Sequence, residues 1–418
     1  MLIQRLIRPN LLANLGVSPI VFLNGGRQSG KSTLVLHTLD KIGRDGKEAT
    51  YITFDNVTQM AAASASPDAF LAAFKPPLVL DEIQLVPELF RTLKVAVDEV
   101  RRDKKSEANG RYLLTGSANI LAFPQLADAL VGRMNVLTLY PLCTAEAIGG
   151  LGNGLERIFQ MDFAGMKDRS LSLVEAIKVA TFPEIYNKSD IEANIWFEGY
   201  LSTILQRDVR QLAELEKITV LPTLLRILAT RAGNLINDAE LAREVGLNAV
   251  TGKFYRNILK MMFLTMDIAP WYRNIGKRLV KSSKGYLCDT LFLCFMLGYK
   301  LESTVLYRTE LFGHILENYV AMELTKLLSF MADRAKLYHF RTSDGKEIDF
   351  IIEKADGSLW AIEVKSADNV SEKDFNSIKL FSQLTGKEFQ GGIILYSGKE
   401  AIPFGHNLWA VPYCVLWQ

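Results

Sequence analysis

Cysteine and histidine are both scarce in this chain of 418 residues, with four of each. Cys143, Cys288, Cys294 and Cys414 form no C-x-x-C pair and have no histidine neighbours. That spacing argues against a zinc site or a disulfide framework and suits a reducing compartment. Long apolar runs are missing as well. The most hydrophobic stretch, YLCDTLFLCFMLGY, is interrupted by Asp289 and Gly298, and no segment reaches the ~20 residues of a membrane helix. The opening MLIQRLIRPNLL carries Arg5 and Arg8 inside its apolar part and no clean cleavage site, so no signal peptide is expected. The expectation is a cytoplasmic protein without a membrane partner. Charge of one sign is also lacking. Lys and Arg total 48 against 46 Asp and Glu, a net +2, which excludes a chain that is basic throughout but leaves room for a local basic patch.

Hydrophobic residues make up 49% of the chain, enough for two to four globular domains. From residue 1 to about 150, short β-rich runs alternate with helical stretches. The candidate strands are Ile20–Asn24, Thr50–Phe54, Leu78–Asp81, Tyr112–Thr115 and Val136–Leu139, with helices at Lys31–Ile42 and Glu88–Arg102. This alternation predicts an α/β fold with a mostly parallel sheet. GGLGNG at 149–154 is the strongest break. The predicted division is 1–150 as an α/β core, 151–230 as a helical linker or lid, 231–308 as a basic winged-helix segment and 309–418 as a smaller α/β domain.

The sharpest motif is IVFLNGGRQSGKSTLVLHTL, in which Gly25, Gly30, Lys31 and Ser32 fit G-x-x-x-x-G-K-[ST]. Glycines allow such a loop to curl round a phosphate with its N–H groups inward, and the following helix start adds positive potential. Gly25, Gly26, Arg27, Gln28, Ser29, Gly30, Lys31, Ser32 and Thr33 are therefore the expected ATP-binding residues. Lys31 is expected at the β- and γ-phosphates, and Ser32 at Mg²⁺. About fifty residues on, KPPLVLDEIQ delivers Asp81 and Glu82 to the end of an apolar strand. Asp81 is expected to hold the metal through water and Glu82 to activate the attacking water. In RYLLTGSAN, Thr115, Ser117 and Asn119 follow another strand, and Ser117 is the chosen γ-phosphate contact. Arg133, in VGRMNVLTLYPL, is the candidate to reach a neighbouring subunit's nucleotide; the competing reading is a surface arginine.

GGRQSGKST, LVLDEIQ, LLTGSAN and GRMNVLTLYPL, in this order, resemble the AAA-type ATPases of bacteria and archaea that carry a C-terminal nuclease-like domain. The resemblance continues through FPEIY at 182–186, LQRD at 205–208, KRLVKSSKGYLCDT at 277–290 and ILENYV at 315–320. It implies an AAA-like core, Mg–ATP, and a homo-oligomer, such as a ring, assembled through the nucleotide site with Arg133 as arginine finger. The chain departs from that pattern at Ala180 and Thr181, where the family tends to carry a glycine pair.

Residues 231–308 hold twelve Lys and Arg against six Asp and Glu, so this segment is +6 and the remainder −4. NDAELAREVGLNAVTGKFYRNILKMMFL reads as two helices about a turn at Val245-Gly246-Leu247, with Asp238 as cap. Leu241 and Val245 are read as inward on the first helix, and Val250, Phe254, Ile258 and Leu259 recur at helical spacing in the second. Asn248, Thr251, Lys253 and Arg256 are the recognition candidates, and Arg273, Lys277, Arg278 and Lys281 the phosphate-contacting ones. A packing or protein-interaction role for the same segment stays open.

KEIDFIIEKADGSLWAIEVKS has the pattern of a β-hairpin. Pairing symmetrically about Asp356 sets Asp349 opposite Glu363 and Glu347 opposite Lys365. This D…E-x-K arrangement resembles the restriction-endonuclease-like superfamily, with Glu317 of ILENYV as a further carboxylate. The resemblance implies metal ligation by Glu317, Asp349 and Glu363 with Lys365 as catalytic partner. Three readings follow: an ATPase that drives a DNA transaction, a nucleotide-controlled switch for a protein partner, or an ATP-gated nuclease.

Overall fold

The computed structural model describes residues 2–418 apart from 44–47, 104, 118–129, 151–153, 165, 167–170, 210–216, 275, 277, 279–280 and 303–308. The chain divides into two compact units, one made of Arg5–Pro141 with Met261–Phe263 and the other of the remainder.

In the first unit, α1 (Arg8–Val17) precedes β1 (Ile20–Asn24), α2 (Lys31–Leu36), α3 (Leu39–Ile42), β2 (Thr50–Thr53), α4 (Val57–Ala65), α5 (Pro67–Ala72), β3 (Leu78–Asp81), α6 (Leu89–Asp103), β4 (Tyr112–Gly116) and β5 (Met134–Thr138). The strands form one sheet in the order β2-β3-β4-β1-β5, parallel throughout. β1, β3 and β4 are buried along their whole length, so they read as continuous apolar runs rather than alternating ones. Ile20, Phe22, Ile52, Leu78, Leu80, Tyr112 and Leu114 share one core with Leu89, Leu93 and Val97 of α6, and each fully buried aliphatic or aromatic side chain contributes about 1.5–3 kcal/mol. The helix expected over Lys31–Ile42 breaks at His37-Thr38. There Thr38 Oγ1 turns back to donate to Leu34 O at 2.6 Å, a local bond that competes with the helical ladder.

The second unit contains α7 (Thr144–Ala147), α8 (Leu155–Gln160), α9 (Leu173–Val179), α10 (Asp190–Thr203), α11 (Leu221–Thr230), α12 (Asp238–Glu244), α13 (Ala249–Met261), β6 (Thr265–Ile268), β7 (Lys284–Leu287), α14 (Thr290–Leu297) and α15 (Glu310–Phe330). It closes with β8 (Ala335–Arg341), β9 (Glu347–Lys354), β10 (Leu359–Lys365), α16 (Asn376–Thr385), β11 (Phe389–Tyr396), β12 (Ile402–Gly405) and β13 (Leu408–Pro412). The last six strands make a sheet ordered β12-β13-β11-β10-β9-β8. β9 and β10 pair antiparallel with Trp360 opposite Ile352 and Ile362 opposite Phe350. That register is symmetric about Asp356, and Gly357 closes the turn at φ +85°.

α12 and α13 cross closely at Gly252, where an added Cβ would lie 2.4 Å from Ala242 Cβ. The buried arc of α13 is Gly252, Tyr255, Arg256, Ile258 and Leu259. Val250 is 82% exposed and Phe254 49%, so these two face outward although they recur at helical spacing with Ile258 and Leu259. A glycine at the crossing lets the backbones approach and turns the helix, and a count of apolar positions cannot register it. The cap of α12 is Asn237, whose side chain accepts from Glu240 N; Asp238 pairs with Arg256 instead.

Candidate functional site

The loop after β1 lies at the carboxyl edge of the parallel sheet, where the strand order reverses direction and where such sheets bind ligands. Gly25 adopts φ +152°, and a Cβ there would meet Leu139 O at 2.2 Å, so no larger residue fits. Gly30, at φ +93°, starts α2. Lys31 is buried and its Nζ donates to Gly25 O at 2.9 Å and Gly26 O at 3.0 Å. The ammonium thus lies across the mouth of the loop. Ser29 N donates to Gly26 O at 3.2 Å. Asn24 Oδ1 and Ser29 Oγ are buried without a hydrogen-bond partner among the described residues.

Asp81 collects three hydroxyl donors. Ser32 Oγ donates to its Oδ2 at 3.0 Å, Tyr51 OH donates to the same oxygen, and Thr115 Oγ1 donates to Oδ1. Burial, together with the Asp81 carboxylate, raises the Tyr51 phenol well above its ordinary range, so Tyr51 remains a donor. Thr115 Oγ1 also accepts from Glu82 N at 3.2 Å. Glu82 takes a left-handed conformation, φ +57°, unusual for a residue with a side chain. Gln84 Nε2 donates both to Glu82 Oε2 and to Ser117 Oγ, the latter at 3.1 Å. Three adjacent strands therefore bring Ser32, Asp81, Glu82 and Ser117 to one edge. Asn119 lies outside the described residues.

A hydroxyl and a carboxylate in contact are hard oxygen donors of the kind Mg²⁺ prefers, and the glycine-shaped cradle with its lysine suits a polyphosphate. The residues present fit Mg–ATP. Sequence reasoning named Thr115 only as an alternative to Ser117, and it missed Tyr51 and Gln84, which connect the named residues, and Arg5, whose guanidinium donates to Ser29 O at 2.8 Å and Tyr140 O at 2.6 Å. The only hint of Arg5 in the sequence is a charge inside an apolar stretch.

Arg133 lies elsewhere. It precedes β5, whose Met134 pairs with Ile20 at the start of β1, so a strand length of about 16 Å separates it from its own loop. It forms a forked pair with Asp98 at 2.6 and 2.8 Å, and that hydrogen-bonded contact holds the Asp98 carboxyl below its usual range.

Residues 17–148 match a family model described as an AAA domain, residues 171–303 a domain of unknown function (DUF8612), and residues 312–416 another (DUF4143). Residues 17–148 thus match an AAA domain. An uncharacterized protein of Mycobacterium tuberculosis is 28% identical over 396 residues, covering 94% of this chain and 80% of that one. One from Haemophilus influenzae is 24% identical over 375 residues, covering 85% of each. Among solved structures, the Walker-type ATPase of Pyrococcus abyssi gives a TM-score of 0.38 at 16% identity, covering 69% of this chain and 94% of that one. Cdc6p of Pyrobaculum aerophilum gives 0.26 at 13%, covering 70% and 94%. Overlaps this loose carry no argument; the AAA assignment rests on the family model, the strand order and the loop geometry.

The other expected sites are changed by their surroundings. In the C-terminal cluster, Val364 N donates to Asp349 Oδ2 at 2.9 Å across the hairpin, and Lys365 Nζ is 3.3 Å from Glu363 Oε1. Lys365 pairs with Glu363 rather than with Glu347. Glu317 is reached by Lys284 Nζ at 2.8 Å and Tyr286 OH at 2.7 Å. Burial and the nearby Asp349 push Glu317 up to about 7 and raise Glu363 well above the carboxylate range. Burial works against the charged form of Lys284, yet Glu317, Asp349 and Glu347 outweigh it and raise its pKa. Among the described residues, no group of three or more His, Cys, Asp or Glu side chains is spaced to hold a metal ion.

Two of the DNA candidates are corrected. Arg256 is 7% exposed, bonded to Asp238 at 2.6 Å and to both oxygens of Asp267 at 2.8 and 2.9 Å. Arg278 pairs with Glu353 and lies over the rings of Trp271 and Tyr338. Both guanidiniums are consumed inside the fold. Arg273 is exposed and pairs with Glu388 at 3.2 Å; Lys253 and Lys281 are exposed. Lys277 lies outside the described residues. No helix among the described residues is long and apolar enough to cross a membrane.

Proposed function

We propose that this chain is a Mg²⁺-dependent ATP hydrolase. The observation that carries the reading is the contact of Ser32 with Asp81 beside Lys31, on a loop whose Gly25 admits no side chain. The loop N–H groups and Lys31, released from Gly25 O and Gly26 O, bind the β- and γ-phosphates. Ser32, and Asp81 through water, would hold Mg²⁺, which would supply charge neutralisation at the phosphates. Glu82 accepts the proton of the attacking water, and Ser117, tethered through Gln84, contacts the γ-phosphate. Arg133 acts on the nucleotide of a neighbouring copy, which requires a homo-oligomer. Titration calorimetry with ATP and a phosphate-release assay test this: Lys31→Ala should lose nucleotide binding, and Glu82→Gln should keep ATP while turnover falls by about 10²–10⁴. Full turnover by Glu82→Gln rejects it as base.

ATP turnover is coupled, in this reading, to DNA binding through the exposed Lys253, Lys281 and Arg273 of a segment with net charge +6. Affinity for single-stranded, duplex or junction DNA should fall steeply as salt rises. One observation favours a protein partner as second reading: the outward face of α13 carries Val250 and Phe254, while Arg256 is withdrawn into ion pairs. Stimulation of turnover by DNA supports the first reading, and indifference to every DNA form supports the second. A cytoplasmic location is part of the same proposal.

A further inference from the structure

The acidic cluster of the C-terminal domain is already filled by a side chain from outside the hairpin. On β7, residues two apart share a face, and Lys284 and Tyr286 both reach Glu317 Oε1, at 2.8 and 2.7 Å. Lys284 Nζ also pairs with Glu347 and lies 3.5 Å from Asp349 Oδ1. Its side chain is 3% exposed. The adjacent Asn318 fastens the same strand: its Oδ1 accepts from Leu287 N at 2.9 Å and its Nδ2 donates to Leu287 O at 3.2 Å. Gly233 closes the other side, since a Cβ there would come within 2.9 Å of Glu317 Oε2. The lysine is therefore delivered by a strand whose position is fixed from both sides.

We propose that Lys284 is a resident cation lock, an ammonium standing where the carboxylates Glu317 and Asp349 would otherwise take a divalent metal. Mg²⁺ binds oxygen at about 2.1 Å, so an ion on the same Glu317 oxygen would sit within about 5 Å of Nζ. Like charges at that spacing in a buried setting exclude one another. The remaining lysine, Lys365, is engaged by Glu363. With Lys284 in place the cluster binds no divalent metal, and a C-terminal domain of nuclease-like outline does not cut; metal entry requires β7 to withdraw. The lock depends on none of the residues assigned to ATP hydrolysis, so it stands or falls separately from that function.

The test is Mn²⁺ binding to the full chain without nucleotide, read from the loss of the free-ion electron paramagnetic resonance signal. Wild type, Asp349→Asn, Lys284→Met and the double variant are compared, with circular dichroism melts as a check of folding. Wild type and Asp349→Asn should bind Mn²⁺ alike. Lys284→Met should gain one Mn²⁺ per chain at least about tenfold tighter than any in wild type, and the double variant should lose it. An Asp349-dependent Mn²⁺ in wild type overturns the lock, as does a folded Lys284→Met that gains none. Should Lys284→Met not fold, the wild-type and Asp349→Asn pair decides alone: equal binding supports the lock and unequal binding rejects it.

Discussion

Tyr51 donates its phenolic hydrogen to Asp81, the same carboxylate that receives the Ser32 hydroxyl. Tyr51 stands on β2 and Asp81 on the neighbouring β3, two positions out of direct register, so the bond ties an edge strand to the carboxylate proposed to hold the metal. Tyr51→Phe removes that donor and keeps the ring. The expected outcome is a loss of about 1 kcal/mol in stability and a rise in the Mg²⁺ concentration for half-maximal turnover. ATP affinity measured without metal should not move. An unchanged Mg²⁺ requirement removes Tyr51 from the positioning of Asp81.

Arg133 and Asp98 allow a test of assembly. Arg133→Ala should lower turnover by about 10³-fold while ATP binding in calorimetry stays unchanged. Because Arg133 lies across the sheet from its own loop, mixing Arg133→Ala chains with Lys31→Ala chains should restore part of the activity: one supplies the loop and the other the guanidinium. Normal turnover by Arg133→Ala would leave this residue with its Asp98 pair alone.

For Arg256 the expectation is stability rather than DNA affinity. Arg256→Ala leaves Asp238 and Asp267 facing each other without their shared partner. Breaking a buried pair of this kind costs about 3–5 kcal/mol, readable in urea unfolding. Lys253→Ala, on the exposed side of the same helix, should leave stability unchanged and weaken DNA binding uniformly across sequences.

His339 is buried and its pKa is lowered to about 4 by burial and the nearby Lys284. A folded-state value below the unfolded 6.5 means that the unfolded chain takes up the proton first. The stabilising contribution of the neutral ring is present above pH 6.5 and is lost as pH falls toward about 4. His339→Gln lacks this titration. Its stability difference from wild type should therefore narrow by about 3 kcal/mol over that window, measured by urea unfolding at successive pH values. A pH-independent difference would mean that the ring is charged in the folded protein.

What could be read from the sequence was local. The loop from Gly25 to Ser32, the strand ending in Asp81 and the hairpin about Asp356 each lie within one short stretch, where spacing alone sets geometry. Period two in β9 and β10 was enough to set Asp349 beside Glu363. Lys284 could not be read this way, because it meets Glu317, 33 positions away, only after the chain folds back. Arg256 was misread for a related reason. Its position on α13 matched a recognition face, but the glycine crossing at Gly252 rotates that face inward, and Asp267 waits there to receive it. Tyr51 and Arg5 lay beside no motif at all.

The guanidinium that bridges Ser29 and Tyr140 comes from the fifth residue of the chain. Removal of residues 1–5 would take away the brace behind the phosphate loop. A slower ATP turnover in such a chain would trace to this lost brace rather than to the residues that meet the nucleotide.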